Sequence, residues 1–170
     1  FLSHEAWGKE DEIRNIPWVS DDTTRFSPAY RQDAWTFDQA ADAALDWLAK
    51  DQVILRIVGP SGFGKSRFTY EMFNRQSRVS DDVDRAVVIY ADLVIAGDEV
   101  AKLALEIAET GSSAILVVDD CPDELHSKLA AIVRRADSRL RLVTIDVETK
   151  VQDARDVLVL RLEAASDGTI

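Results

Sequence analysis

The run Val53-Ile54-Leu55-Arg56-Ile57-Val58, followed without a break by Gly59-Pro60-Ser61-Gly62-Phe63-Gly64-Lys65-Ser66, constrains this chain more than any other stretch. A largely apolar run bounded by turn residues reads as a buried strand, and the G-x-x-x-x-G-K-S spacing after it reads as a tight loop opening a helix. Small residues there let consecutive backbone N–H groups turn inward around phosphate oxygens, while the helix presents its positive N-terminal end. Lys65 adds a mobile point charge on the terminal phosphates, and Ser66 offers its hydroxyl to Mg²⁺. With Arg67 in the same first turn, residues 59–67 form the expected nucleotide-binding set, and Lys65 doubles as a catalytic candidate. Binding follows from the loop, whereas hydrolysis needs further residues.

Charge limits the partners. The 31 acidic residues outnumber the 20 basic ones, for a net charge of −11, so no basic stripe is present to neutralise a nucleic-acid backbone. Arg134-Arg135, the densest basic pair, sits between acidic stretches and reads as a solvated helix face. The lone Cys121 excludes an intramolecular disulfide, and no apolar run approaches the roughly 20 residues of a membrane span. Phe1-Leu2-Ser3-His4-Glu5 is too polar for a signal peptide, so a soluble cytoplasmic chain is expected. The start without Met and the short polar residues near the end suggest a piece of a longer protein. Its 170 residues fit one domain, burying roughly 70% of its unfolded surface.

Along the chain, residues 1–33 lack sustained periodicity and read as an extended lead-in to a nucleotide-binding domain over residues 34–170. Thr36-Phe37-Asp38-Gln39 has the form of a capping box before Ala40, Ala41, Ala44, Leu45 and Leu48, which predicts a helix to about Lys50 with Trp47 on its flank. Beyond the first strand, a helix from Lys65 to about Gln76 turns Phe68, Met72 and Phe73 to the core. Residues 86–90 predict a second strand ending near Asp92, a loop cap, and Asp98 is placed as the cap of a helix to about Glu109. Residues 114–118, 140–145 and 157–160 predict three more strands, with Pro122 in the first turn of the intervening helix.

Strands that alternate with helices, each a continuous apolar run, predict a five-stranded parallel sheet covered on both faces, a three-layer α/β sandwich. Right-handed crossovers bring the strand C-termini to one edge, which gathers residues 59–66, Asp119-Asp120 and Thr144. Asp119, ending an apolar strand downstream of the phosphate loop, is the expected Mg²⁺ residue alongside Ser66. Asp120 is the candidate base that polarises the attacking water.

These two motifs, the loop over residues 59–66 and Ile115-Leu116-Val117-Val118-Asp119-Asp120-Cys121-Pro122-Asp123, together resemble the P-loop signal-transduction ATPases with numerous domains, the STAND class. The NB-ARC-type apoptotic and disease-resistance ATPases are the nearest branch, with NACHT proteins and AAA+ machines further off. The resemblance covers about residues 34–162. It implies an ATP/ADP switch with Mg²⁺, coupled to the other domains of a signalling or defence protein and to homo-oligomerisation. It also implies strand order 5-1-4-3-2, with the fourth strand between the phosphate-loop strand and the acidic strand. Two departures stand out. Thr144-Ile145-Asp146 occupies the place of a γ-phosphate-sensing Arg, and no helical lid follows the fifth strand. Arg155 lies where AAA+ relatives carry an arginine finger, although a lone Arg in a linker reads first as a surface residue.

A regulatory GTPase is disfavoured by the missing Asp-x-x-Gly and guanine-reading motifs. A small-molecule kinase shares the loop but needs an Arg-rich lid that is not identifiable. The principal alternative is a non-catalytic module that binds nucleotide to hold its shape or to scaffold assembly.

Overall fold

The computed structural model describes residues 1–10, 24–28, 34–74 and 88–164. In chain order the elements are β1 (Leu2–Ser3), α1 (His4–Glu10), β2 (Thr24–Pro28), α2 (Phe37–Leu48), β3 (Ile54–Val58), α3 (Lys65–Asn74) and β4 (Val88–Asp92). There follow α4 (Leu93–Ala96), α5 (Glu99–Thr110), β5 (Ala114–Asp119), α6 (Asp123–Val133), β6 (Leu140–Asp146) and β7 (Val157–Ala164).

The inner strands are apolar on both faces because each face feeds a separate core. Leu55 and Ile57 of β3, Ile115 and Val117 of β5, and Val143 and Ile145 of β6 join α2 and α3 in one cluster. Ile54 and Val58, Leu116 and Val118, and Leu140 and Leu142 alternate to the other face, where α5 and α6 cover them. The result is the expected three-layer arrangement. Phe68, Met72 and Phe73 are buried in the first cluster. The capping box of α2 is formed in both directions, with the Gln39 amide donating to Thr36 Oγ1 and the Thr36 amide to Gln39 Oε1.

The expected sheet is corrected in strand count and so in its full order, because two added strands flank the five expected ones, which keep their relative order. It has seven strands, β1-β4-β5-β6-β3-β7-β2, with five parallel strands inside and an antiparallel strand at each edge. β6 lies between β3 and β5. The two added strands come from the lead-in, whose described residues hold β1, α1 and β2 rather than an unpaired extended segment. An edge strand needs no two-sided apolar pattern, so β2 carries little signal beyond Phe26, which packs on Phe68 at 4.6 Å between ring centroids. Pro28, which ends β2, stands on the outer edge, where a missing N–H breaks no ladder.

Smaller differences follow from local chemistry. Asp98 precedes α5 in a helical conformation and makes no side-chain cap, whereas Asp92 caps α4 by accepting from the Val94 amide. Pro122 is the N-cap of α6 rather than part of its first turn. Ala86, Val87 and Gln76 lie outside the described residues. Arg134 and Arg135 are exposed, and Arg134 pairs with Asp156 at 2.6 Å. Among the described residues no helix is long and apolar enough to cross a membrane.

Candidate functional site

The parallel strands end together on one edge, and the loop between β3 and α3 closes over that edge. Gly62 and Gly64 both have positive φ, 83° and 80°, which lets the chain reverse tightly before α3 starts at Lys65. Lys65 Nζ donates to the Gly59 and Pro60 carbonyls at 2.6 and 3.0 Å, so the ammonium lies against the loop it follows. Burial lowers the Lys65 pKa, against the attraction of Asp119, Asp146 and Asp120. The loop borders a cleft of about 360 Å³ lined by Ser61, Gly62, Lys65, Asp119, Asp120 and Asp146 among others.

Across the cleft, Asp119 ends β5, and Ser66 Oγ donates to its Oδ2 at 2.5 Å. Oδ2 also accepts from the Tyr90 hydroxyl at 2.9 Å, while Oδ1 accepts from the Asp120 amide at 2.9 Å. The carboxylate is thus oriented from three sides. The next residue, Asp120, has φ 55° in the left-handed region and is exposed. Its pKa is raised, first by burial and then by Asp119, Asp92 and Asp146, with Lys65 opposing.

Beneath this turn lies Arg56, fully buried in the middle of β3. Nη1 donates to the Cys121 carbonyl at 2.6 Å and Nη2 to Asp123 Oδ1 at 2.8 Å, while Nε donates to Thr149 Oγ1 at 3.3 Å. Asp146 Oδ2 stands 3.7 Å from Nη2. Asp123 also accepts from the Thr149 hydroxyl and the Lys150 amide. Burial alone would raise the Asp123 pKa, but these donors together hold it below the usual carboxylate value. One guanidinium therefore ties the turn after β5 to the loop after β6. The Cys121 thiol is buried beside it and pushed up to about 12, chiefly by burial.

Of the residues expected at the site, Ser61, Gly62, Gly64, Lys65, Ser66, Arg67, Asp119 and Asp120 line the cleft together. Arg67 is paired with Glu71 at 2.8 Å. Gly59, Pro60 and Phe63 shape the loop from behind, Gly59 against Leu162 and Phe63 against the α2–α3 core. Thr144 does not reach the cleft. It is fully buried on β6 and pairs with His126 Nδ1 at 2.7 Å, so Asp146 and Val147 occupy the cleft edge instead. Arg155 is exposed just before β7, near the opposite end of the strands from the cleft. Sequence reasoning gave no role to Arg56, Tyr90 or Asp146. A lone charge inside an otherwise apolar strand was the available signal for Arg56.

These residues fit a Mg²⁺-bound nucleotide. Ser66 spends its proton on Asp119 and keeps its lone pairs for a cation, and the donor set is entirely oxygen, as hard divalent ions prefer. Among the described residues no group of three or more His, Cys, Asp or Glu side chains is arranged to hold an ion alone. Ser66 and Asp119 would hold the ion, and the residue 59–66 loop with Lys65 would hold the phosphates.

Strand, glycine-bearing loop, helix and facing acidic strand end together define a P-loop-like α/β fold. No protein-family model and no curated protein matches the chain. Among solved structures it is similar to the structure of C. elegans PCH-2, at 18% identity and a TM-score of 0.44. That likeness covers 71% of this chain and 40% of the other, so the chain spans less than half of that neighbour's length.

Proposed function

We propose that this chain is the ATP- or ADP-binding switch domain of a larger signalling or defence protein, working with Mg²⁺ in the manner of the STAND-class ATPases. The observation that supports this reading is the meeting of Lys65, Ser66, Asp119 and Asp120 in one cleft at the strand C-termini. The chemistry Mg²⁺ would supply, held by Ser66 and Asp119, is positive charge to offset that of the phosphates. Lys65 neutralises terminal phosphate oxygens, Asp119 orients the ion's shell together with Ser66, and Asp120 accepts a proton from the attacking water. Its partners under this reading are nucleotide, the other domains of its parent chain and further copies after exchange, in the cytoplasm and without direct nucleic-acid contact.

Hydrolysis by this chain alone is slow in this reading, because an arginine finger supplied by a neighbouring subunit is worth about 10³ to 10⁵ in rate. A second reading, a nucleotide-binding scaffold without turnover, is favoured by the β6 end of the cleft, where Asp146 and Val147 stand in place of a cationic γ-phosphate sensor.

Calorimetric titration with Mg²⁺-ADP tests binding. Lys65→Ala should weaken it by roughly 1.5–3 kcal/mol through lost charge-assisted hydrogen bonds, and identical binding by parent and variant would overturn the proposal. Turnover separates the two readings: Asp120→Asn abolishes a slow ATPase and leaves a scaffold unchanged.

A further inference from the structure

The Asp119 carboxylate is held by a residue that the phosphate-loop chemistry does not require. Tyr90 is the third residue of β4, one strand further out, and its hydroxyl donates to the same Oδ2 that accepts from Ser66. A carboxylate offers about four lone-pair sites. With Ser66, Tyr90 and the Asp120 amide in place, three are taken, which leaves Asp119 little freedom to rotate.

Tyr90 is itself held by the N-terminal segment. The Trp7 ring of α1 stacks on it at 4.2 Å with the planes 8° apart, and it meets Tyr70 of α3 edge-on at 5.3 Å. His4 stacks on Tyr70 at 4.6 Å, with Nε2 3.1 Å from the Tyr70 carbonyl oxygen. Trp7 is 1% exposed. Its indole N–H has no hydrogen-bond partner among the described residues, so Trp7 itself is held by ring packing. Residues 4–7 therefore bridge the helix that carries Lys65 and Ser66 to the strand whose tyrosine holds Asp119.

We propose that Tyr90 is a positioning residue for the cation-binding carboxylate, and that the Trp7 stack makes residues 4–7 a clasp whose seating rises and falls with metal-nucleotide loading. This rests on the nucleotide reading above. The coupling follows from linkage: if seating Tyr90 favours the ion-ready rotamer of Asp119, ion binding must favour the seated clasp by the same factor. Partners that orient a metal's ligands are commonly worth tenfold or more in metal affinity.

The test uses the whole chain with ADP, once with Mg²⁺ and once with EDTA. Tyr90→Phe keeps the ring on Trp7 and removes only the hydroxyl. It should weaken ADP binding about tenfold in Mg²⁺ and leave the EDTA value unchanged. In the parent, Mg²⁺-ADP should slow backbone hydrogen exchange across residues 4–10, a protection lost in Tyr90→Phe. Trp7→Phe, which shrinks the stacked ring, should lose part of both effects. Equal losses with and without Mg²⁺ would reveal a merely structural Tyr90 and overturn the proposal, as would an unchanged Mg²⁺ affinity. A parent chain that binds no ADP in either condition would instead sink the nucleotide reading, and this proposal with it.

Discussion

The Arg56 guanidinium meets the Cys121 carbonyl across 2.6 Å, directly behind Asp120, whose φ of 55° is uncommon for a residue with a side chain. The two facts belong together. A left-handed residue other than glycine is disfavoured by about 1–2 kcal/mol and persists where its surroundings over-determine it. Here the Asp119 carboxylate fixes the Asp120 amide, and the Cys121 amide donates to the Ile145 carbonyl at 2.8 Å. Arg56 closes the turn from below.

Arg56→Met tests that role. The replacement keeps the apolar stem, takes the guanidinium from the Cys121 carbonyl, and leaves Asp123 only the Thr149 hydroxyl and the Lys150 amide as donors. Breaking a buried ion pair costs about 3–5 kcal/mol. Asp123 is 34% exposed and can regain water, so a loss near 3 kcal/mol is expected. In thermal denaturation that is a fall in Tm of about 6–12 °C for a domain of this size. An unchanged melting temperature would mean that water replaces the guanidinium without loss.

Asp120 predicts a separation of stability from turnover. Asp120→Gly removes the left-handed penalty and should leave stability equal or higher, by up to about 1 kcal/mol, whereas Asp120→Val should lower it by about 1–2 kcal/mol. Both should abolish slow ATP turnover. Thermal melts of the two variants decide the matter, because equal destabilisation would show that the turn carries no such strain.

The central sheet and its cleft were legible because their signals are local. Residues 54–58 and 114–118 face two cores at once, and continuous apolar runs record that burial directly. The loop needs glycines at fixed offsets, and Asp119 must end a strand. What escaped was non-local. Tyr90 and Arg56 derive their roles from partners 29 and 65 residues away, pairings that no short pattern encodes. Thr144 misled for a related reason. It shares a β6 face with Asp146, but α6 supplies His126 to bury it, so only the last residue of the strand reaches the cleft.

His126 should make stability fall with acid. Burial depresses its pKa from 6.5 to about 4, with Arg56 and Arg134 adding to the effect and Asp123 opposing it. Above pH 6.5 both folded and unfolded rings are neutral. As pH falls from 6.5 to about 4, the unfolded ring takes up a proton that the folded ring refuses, and stability drains away by an amount on the order of 3 kcal/mol. His126→Gln should lose that part of the slope. Urea midpoints of parent and variant across the window measure it, and parallel curves would show that His126 is protonated equally in both states.

Gly59 offers the most direct test of how the loop is seated. A Cβ added there would lie 2.9 Å from the Leu162 carbonyl oxygen and 3.0 Å from the Leu162 Cβ. β7 cannot recede to make room, because its ladder with β3 continues through Val58 and Arg161, immediately before the clash. Gly59→Ala must therefore push the loop outward or pry the strands apart. Overpacking of this kind costs about 1–3 kcal/mol, a fall in Tm of about 2–12 °C. Gly62→Ala is the instructive contrast. Its Cβ would meet nothing within 4 Å, so only the φ of 83° opposes it. That penalty is about 1–2 kcal/mol. Truncating Leu162 to Ala should not rescue Gly59→Ala, since the closest atom is a backbone oxygen that every residue at 162 retains. Full rescue in a double-mutant melt would mean that the loop is held off β7 by the leucine side chain instead.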